Sequence, residues 1–141
     1  MTQALGTVIR NQSWREGNLQ NLFRLEPITL HSGQTSQWKI DCDALTEADW
    51  DCLAHIGMEL MDWPQFYGVI GIPTGGLKLA QQLEQYAVDD GYLLIVDDVL
   101  TTGGSMMSMR KQYPEARGLV VFARGPCPAW VTPIFQMGSM L

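Results

Sequence analysis

Cysteine is scarce in this 141-residue chain, with only Cys42, Cys52 and Cys127. The number is odd and no Cys-x-x-Cys spacing occurs, which argues against both a disulfide framework and a zinc ribbon. Cys52 and His55 can share a helix face, but two ligands do not complete a tetrahedral site, so no metal held by protein ligands is expected. Positive charge is also short. Nine basic residues against fifteen acidic ones give a net charge of −6, which disfavours nonspecific nucleic-acid binding. No apolar stretch approaches the roughly 20 residues that span a bilayer. Residues Met1 to Arg10 lack the charged-then-apolar pattern of a secretory leader. A soluble, cytoplasmic protein without membrane contact is the expectation. Two common phosphate motifs are missing as well: there is no GxxxxGK[ST], and no GxGxxG opens a helix after a strand.

What is present alternates in the order an α/β sheet requires. Thr46 to Asp49 reads as a helix start, and Trp50, Leu53, Ala54, Gly57, Leu60 and Met61 recur at helical spacing up to Pro64. Tyr67 to Ile72 reads as a buried strand, and Leu77 to Ala87 as a second amphipathic helix. A central strand ends near Val96, a helix covers Ser105 to Tyr113, and Gly118 to Ala123 is a third strand. Strands separated by helices of this length imply a mainly parallel sheet flanked by helices, with right-handed crossovers. Apolar residues make up 46% of the chain, enough for one core. The tail, with Pro126, Pro128 and Pro133, reads as irregular, and its Trp130 and Phe135 as core or dimer contacts.

The most informative stretch runs from Tyr92 to Ser105. Leu93 to Val96 are branched or apolar without alternation, as in a strand covered on both faces, and a ligand crevice belongs at the carboxyl end of such a strand. There the chain supplies Asp97 and Asp98, whose side chains suit sugar hydroxyls or a divalent cation. If the strand continues, the two point to opposite faces. Thr101, Thr102 and Ser105 add hydroxyls, while Gly103 and Gly104 let backbone N–H groups turn towards an anion at the start of a helix. One βα unit earlier, Gly71-Ile72-Pro73-Thr74-Gly75-Gly76 forms a second strand-end turn of the same kind, with Lys78 in the helical turn that follows.

The acidic pair followed by Thr-Thr-Gly resembles the phosphoribosyl pyrophosphate (PRPP) signature of type I phosphoribosyltransferases. The resemblance implies that Asp97 and Asp98 act at the ribose as catalytic-site residues and that Thr101 to Ser105 cradle the 5-phosphate. It implies that Thr74, Gly75, Gly76 and Lys78 meet pyrophosphate, in a loop that often has unusual peptide geometry. Within the family the chain is most similar to orotate phosphoribosyltransferases. Leu30-His31-Ser32-Gly33 through Asp41 looks like their hood segment, and Arg124 follows a strand where they place a carboxylate-binding arginine. By this likeness Arg124, His31 and Lys39 are base-binding candidates. His31 and Lys39, with Ile40, also mark departures from the hood pattern.

The resemblance implies a single phosphoribosyltransferase-like domain, with residues 1–45 as a small N-terminal hood region, 46–125 as the core and 126–141 as the tail. The implied reaction transfers phosphoribose from PRPP to a nitrogenous base such as orotate and releases pyrophosphate, with Mg²⁺ bound through PRPP and a homodimer as the assembly. One family feature is missing. Only Asp89-Asp90-Gly91 separates the second helix from the acidic strand, where the family carries a long basic loop, and three residues cannot form a lid. The alternative expectation is therefore a non-catalytic module that binds PRPP or a nucleotide for regulation.

Overall fold

The computed structural model describes residues 22–24, 28–29, 35–36 and 39–137. Contacts divide the chain into two compact units, Met1–Thr46 and Glu47–Leu141. In the first unit, β1 (Phe23–Arg24) pairs antiparallel with β4 (Lys39–Ile40), and β2 (Ile28–Thr29) pairs antiparallel with β3 (Thr35–Ser36). These pairs flank the Ser32-Gly33 segment. His31, Ser32 and Gly33 lie outside the described residues, as does the side chain of Lys39.

The second unit begins with α1 (Glu47–Leu60), which buries Trp50, Leu53, Ala54, Gly57 and Met58 along one stripe. There follow β5 (Phe66–Gly71), α2 (Leu77–Leu83), β6 (Tyr92–Leu100), α3 (Gly104–Gln112), β7 (Arg117–Ala123) and β8 (Val131–Gln136). The four strands form one all-parallel sheet in the order β5-β6-β7-β8. This is an α/β domain with helices on both faces of its sheet. Leu94, Ile95, Val96, Leu119, Val120 and Val121 are fully buried, as residues of central parallel strands must be.

Side-chain rows define the two faces. Gly71, Val96 and Leu119 are register partners across β5, β6 and β7. A Cβ at Gly71 would touch Ala80 of α2, and one at Gly57 of α1 would meet Leu119, so α1 and α2 lie over this face. The adjacent row, Ile95 and Gly118, faces α3, because Gly118 packs against Met106. The chain therefore steps from β5 to β6 to β7 in one direction with its connecting helices on opposite faces. The two crossovers must have opposite hands, which corrects the expectation that both are right-handed. Packing explains how α2 stays on that face. It buries Leu79, Ala80 and Leu83, and Gln82 and Gln85 reach the Glu47 and Asp51 carboxylates of α1.

The tail is corrected too: residues 131–136 are a strand and not an irregular segment. Pro133 pairs in register with Val120. β8 is an edge strand, where a residue without an N–H is tolerated because one side of the backbone has no ladder to complete.

Candidate functional site

β6 runs to Leu100, so both carboxylates lie within the strand, near its carboxyl end. Alternation turns them to opposite faces. Asp97 accepts from the backbone N–H of Asp98 at 2.8 Å, and Asp98 accepts from that of Val99 at 2.7 Å. Both residues are half-buried. Burial pushes the Asp97 carboxyl from 3.8 up to about 8, and its side-chain hydrogen bond with Asp98 and the negative charge of Asp98 push the same way. Near neutral pH the pair thus retains a proton. A protonated Asp97 carboxyl can donate to a sugar hydroxyl as well as accept from one.

The turn after β5 meets this pair directly. A Cβ at Gly75 would lie 2.5 Å from the Asp98 carboxyl carbon, so only glycine lets the turn lie against that carboxylate. The Pro73–Thr74 peptide is cis, and Thr74 and Gly75 are exposed while Gly76 is buried. The Leu77 N–H donates to the Thr74 carbonyl at 3.2 Å and the Gly76 N–H to that of Ile72 at 2.8 Å, which fixes the turn at the start of α2. Lys78 is exposed in the first turn of that helix.

On the other side of the pair, Thr101 and Thr102 lead into α3. Gly103 occupies its N-cap at φ 85°, a left-handed conformation that suits glycine, and no side chain caps the helix there. The Gly104 N–H makes a long 3.4 Å contact with the Thr102 hydroxyl. Gly104 and Ser105 are exposed at the helix end that carries positive partial charge.

The end of β7 joins the same edge. The Arg124 N–H donates to the Leu100 carbonyl at 2.8 Å, which fastens the residue beside the acidic strand, and burial lowers the pKa of its guanidinium. Phe135 and Gln136 join this edge through β8, which the prolines of the tail hide in the sequence. Phe135 stacks on Phe122 with ring centroids 5.4 Å apart and planes 22° apart. The Gln136 side-chain amide donates to the carbonyls of Gly125 at 3.1 Å, Met137 at 3.2 Å and Ala123 at 3.4 Å. The alternating Ile134-Phe135-Gln136 pattern was the available signal. The structure thus brings Asp97, Asp98, Thr74 to Gly76, Thr101 to Ser105 and Arg124 to one edge of the sheet.

Solved structures share this arrangement of elements. Orotate phosphoribosyltransferase from Aeropyrum pernix superposes with a TM-score of 0.67 at 20% identity, covering 83% of this chain and 89% of that one. The fold is that of the type I phosphoribosyltransferases. A phosphoribosyltransferase from Corynebacterium diphtheriae gives a TM-score of 0.62 at 16% identity over 86% of this chain and 94% of that one. UMP synthase from Leishmania donovani gives 0.67 at 15% identity, over 84% of this chain but only 34% of the longer protein. No protein-family model and no curated protein matches the chain. Within the phosphoribosyltransferase fold, the segment preceding β6 is short. The Val88 N–H donates to the Phe66 carbonyl at 2.8 Å and the Tyr92 N–H to that of Gln65 at 3.3 Å, so residues 87–91 form a turn tied to the start of β5. No helix among the described residues is long and apolar enough to cross a membrane.

Proposed function

We propose that the protein is a cytoplasmic phosphoribosyltransferase that joins phosphoribose from PRPP to a nitrogenous base, with orotate the leading substrate. The observation that carries this reading is the contact between two strand-end anion turns at one acidic pair: Gly75 lies against Asp98, and Thr101 to Ser105 follow directly on the same strand. In this reading Asp97 and Asp98 bind the ribose hydroxyls and Thr101, Thr102, Gly103, Gly104 and Ser105 bind the 5-phosphate. Thr74, Gly75 and Gly76 receive pyrophosphate, with Lys78 within the next helical turn. Arg124 takes an acidic substituent of the base, for which a guanidinium fork is suited, and the likeness to orotate phosphoribosyltransferases adds His31 and Lys39 as base-binding candidates.

The bond between ribose C1 and the pyrophosphate oxygen breaks while a bond from C1 to a base nitrogen forms. Positive charge grows on the sugar and negative charge on the leaving group. The half-buried acidic pair faces the first and backbone N–H groups the second, each fixed before reaction. Magnesium bound through PRPP would supply part of the charge stabilisation at the leaving group. Among the described residues no group of three His, Cys, Asp or Glu side chains is placed to hold a metal. A homodimer belongs to the same reading, supported by exposed Trp63, Tyr67 and Val88 around β5.

Pyrophosphate release from PRPP, measured across orotate, uracil and purine bases, tests the assignment. Release with orotate that exceeds release with uracil, and loses that preference in Arg124→Ala, is expected. The tied turn at residues 87–91 favours a second reading, a regulatory module that binds PRPP without turnover, because that segment supplies no basic lid to shield the reaction from water. Binding of PRPP with silence on every base would select it.

A further inference from the structure

A cleft of about 190 Å³ opens at the amino end of the sheet, the end opposite the acidic pair. Its walls are Met61 just past α1, Tyr92, Arg117 and Thr132 near the starts of β6, β7 and β8, and the turn at Ala129 and Trp130. Leu94 pairs with Arg117 and Leu119 with Thr132, and alternation along β6 adds Tyr92, so these side chains leave the sheet on the face that α1 covers. Arg117 is exposed, and its guanidinium lies 5.2 Å from the centre of the Tyr92 ring. No carboxylate of the described residues stands within ion-pairing distance of it; the ion pair among them joins His55 to Glu59. Burial raises the Tyr92 phenol above its ordinary pKa, more than Arg117 lowers it, so the ring stays neutral beside the guanidinium. The end of α1 does not compete either, because the Met61, Asp62 and Trp63 N–H groups donate to the carbonyls of Gly57, Glu59 and Met58. On a chain of net charge −6, a guanidinium held against an aromatic ring in a cleft without a carboxylate is a place for an external anion.

We infer that this cleft is a binding site for a small aromatic carboxylate, separate from the proposed phosphoribosyl site. A guanidinium fork matches the two oxygens of a carboxylate, and the Thr132 hydroxyl can donate to the same group. The Tyr92 ring and the Met61 thioether give the apolar body of the ligand a packing surface. One fork balances one negative charge, which suits a carboxylate better than a phosphate group carrying nearly two. Size narrows the class further. A cavity of about 150 Å³ holds benzene, so about 190 Å³ takes one ring with its carboxylate and is too small for a nucleotide. Tyr92 and Asp98 stand near the two ends of β6, roughly 20 Å apart at the usual rise per residue. No small ligand spans both.

Chemical-shift titration of the full, isotope-labelled chain with benzoate tests it. The Gly118 and Thr132 amide signals should move saturably, while those of Gly103 and Gly104 at the other end of the sheet stay in place. Benzamide, which keeps the shape and drops the charge, should bind about tenfold more weakly, the size of one charge-assisted contact. Arg117→Gln should weaken benzoate by about the same factor, and Arg124→Ala should leave its affinity unchanged. Ala129→Trp, which fills the cleft from its exposed turn and keeps the charge, should weaken benzoate as well, and it decides the matter if the thermal midpoint shows that Arg117→Gln does not fold. No saturable shift in the parent, equal binding by parent and folded Arg117→Gln, or shifts confined to Gly103 and Gly104 overturns the inference. Inorganic phosphate that displaces benzoate at equal concentration overturns the carboxylate assignment. None of these outcomes depends on PRPP, so the phosphoribosyl reading stands or falls separately.

Discussion

Asp97 carries an energetic cost that its position makes measurable. In the fold its carboxyl titrates near 8 and in an unfolded chain near 3.8, the first cause being burial and the second its hydrogen bond and charge partner Asp98. Between those values the folded state holds more protons than the unfolded one. The stability tied to this proton is complete below about pH 4 and is lost as pH rises through 8. Asp97→Asn removes the titration and keeps the shape. Its melting midpoint should exceed that of the parent above pH 8, and the gap should close as pH falls towards 4. A gap that is the same at pH 4 and pH 9 would contradict the assignment. A carboxyl held against its own solvation at a ligand edge is what a binding site requires and a purely structural strand end does not.

At the scale of elements, the packing of α1 on β7 is a test of the sheet's covered face. Leu119 is fully buried, and a Cβ at Gly57 would come within 2.6 Å of its Cδ2. Gly57→Ala should destabilise by about 1–3 kcal/mol through overpacking, and Leu119→Ala by about 2–5 kcal/mol through the cavity it leaves. Because the added methyl enters the space vacated, urea denaturation of the double variant should show less than the sum of the two losses. Strict additivity would mean the residues do not share that space. Element identity was legible where composition was decisive. The unbroken apolar run Leu93 to Val96 marked β6, and the glycine-rich turns marked both strand ends. β8 was hidden because Pro133 signals a break, and only its place at the sheet edge makes proline acceptable there. The opposite hands of the two crossovers were also invisible, since no local pattern records which face a helix chooses. Of the candidate site, the acidic pair and both turns could be read from residue types in order. The approach of Gly75 to Asp98 and the stack of Phe135 on Phe122 depend on register between strands far apart in sequence.

For the molecule as a whole, one edge of the four-stranded parallel sheet gathers the second unit's residues of the proposed site. Parallel strands align their carboxyl ends, so anion turns, acidic pair and arginine meet without long loops. In the proposed function this edge holds a phosphorylated ribose bearing a diphosphate. Isothermal titration with PRPP and Mg²⁺ tests it most directly. The parent should bind stoichiometrically, and the Asp97→Asn plus Asp98→Asn variant, folded by its thermal midpoint, should lose at least tenfold in affinity. A parent that shows no binding, or a folded double variant that binds as tightly as the parent, would contradict it.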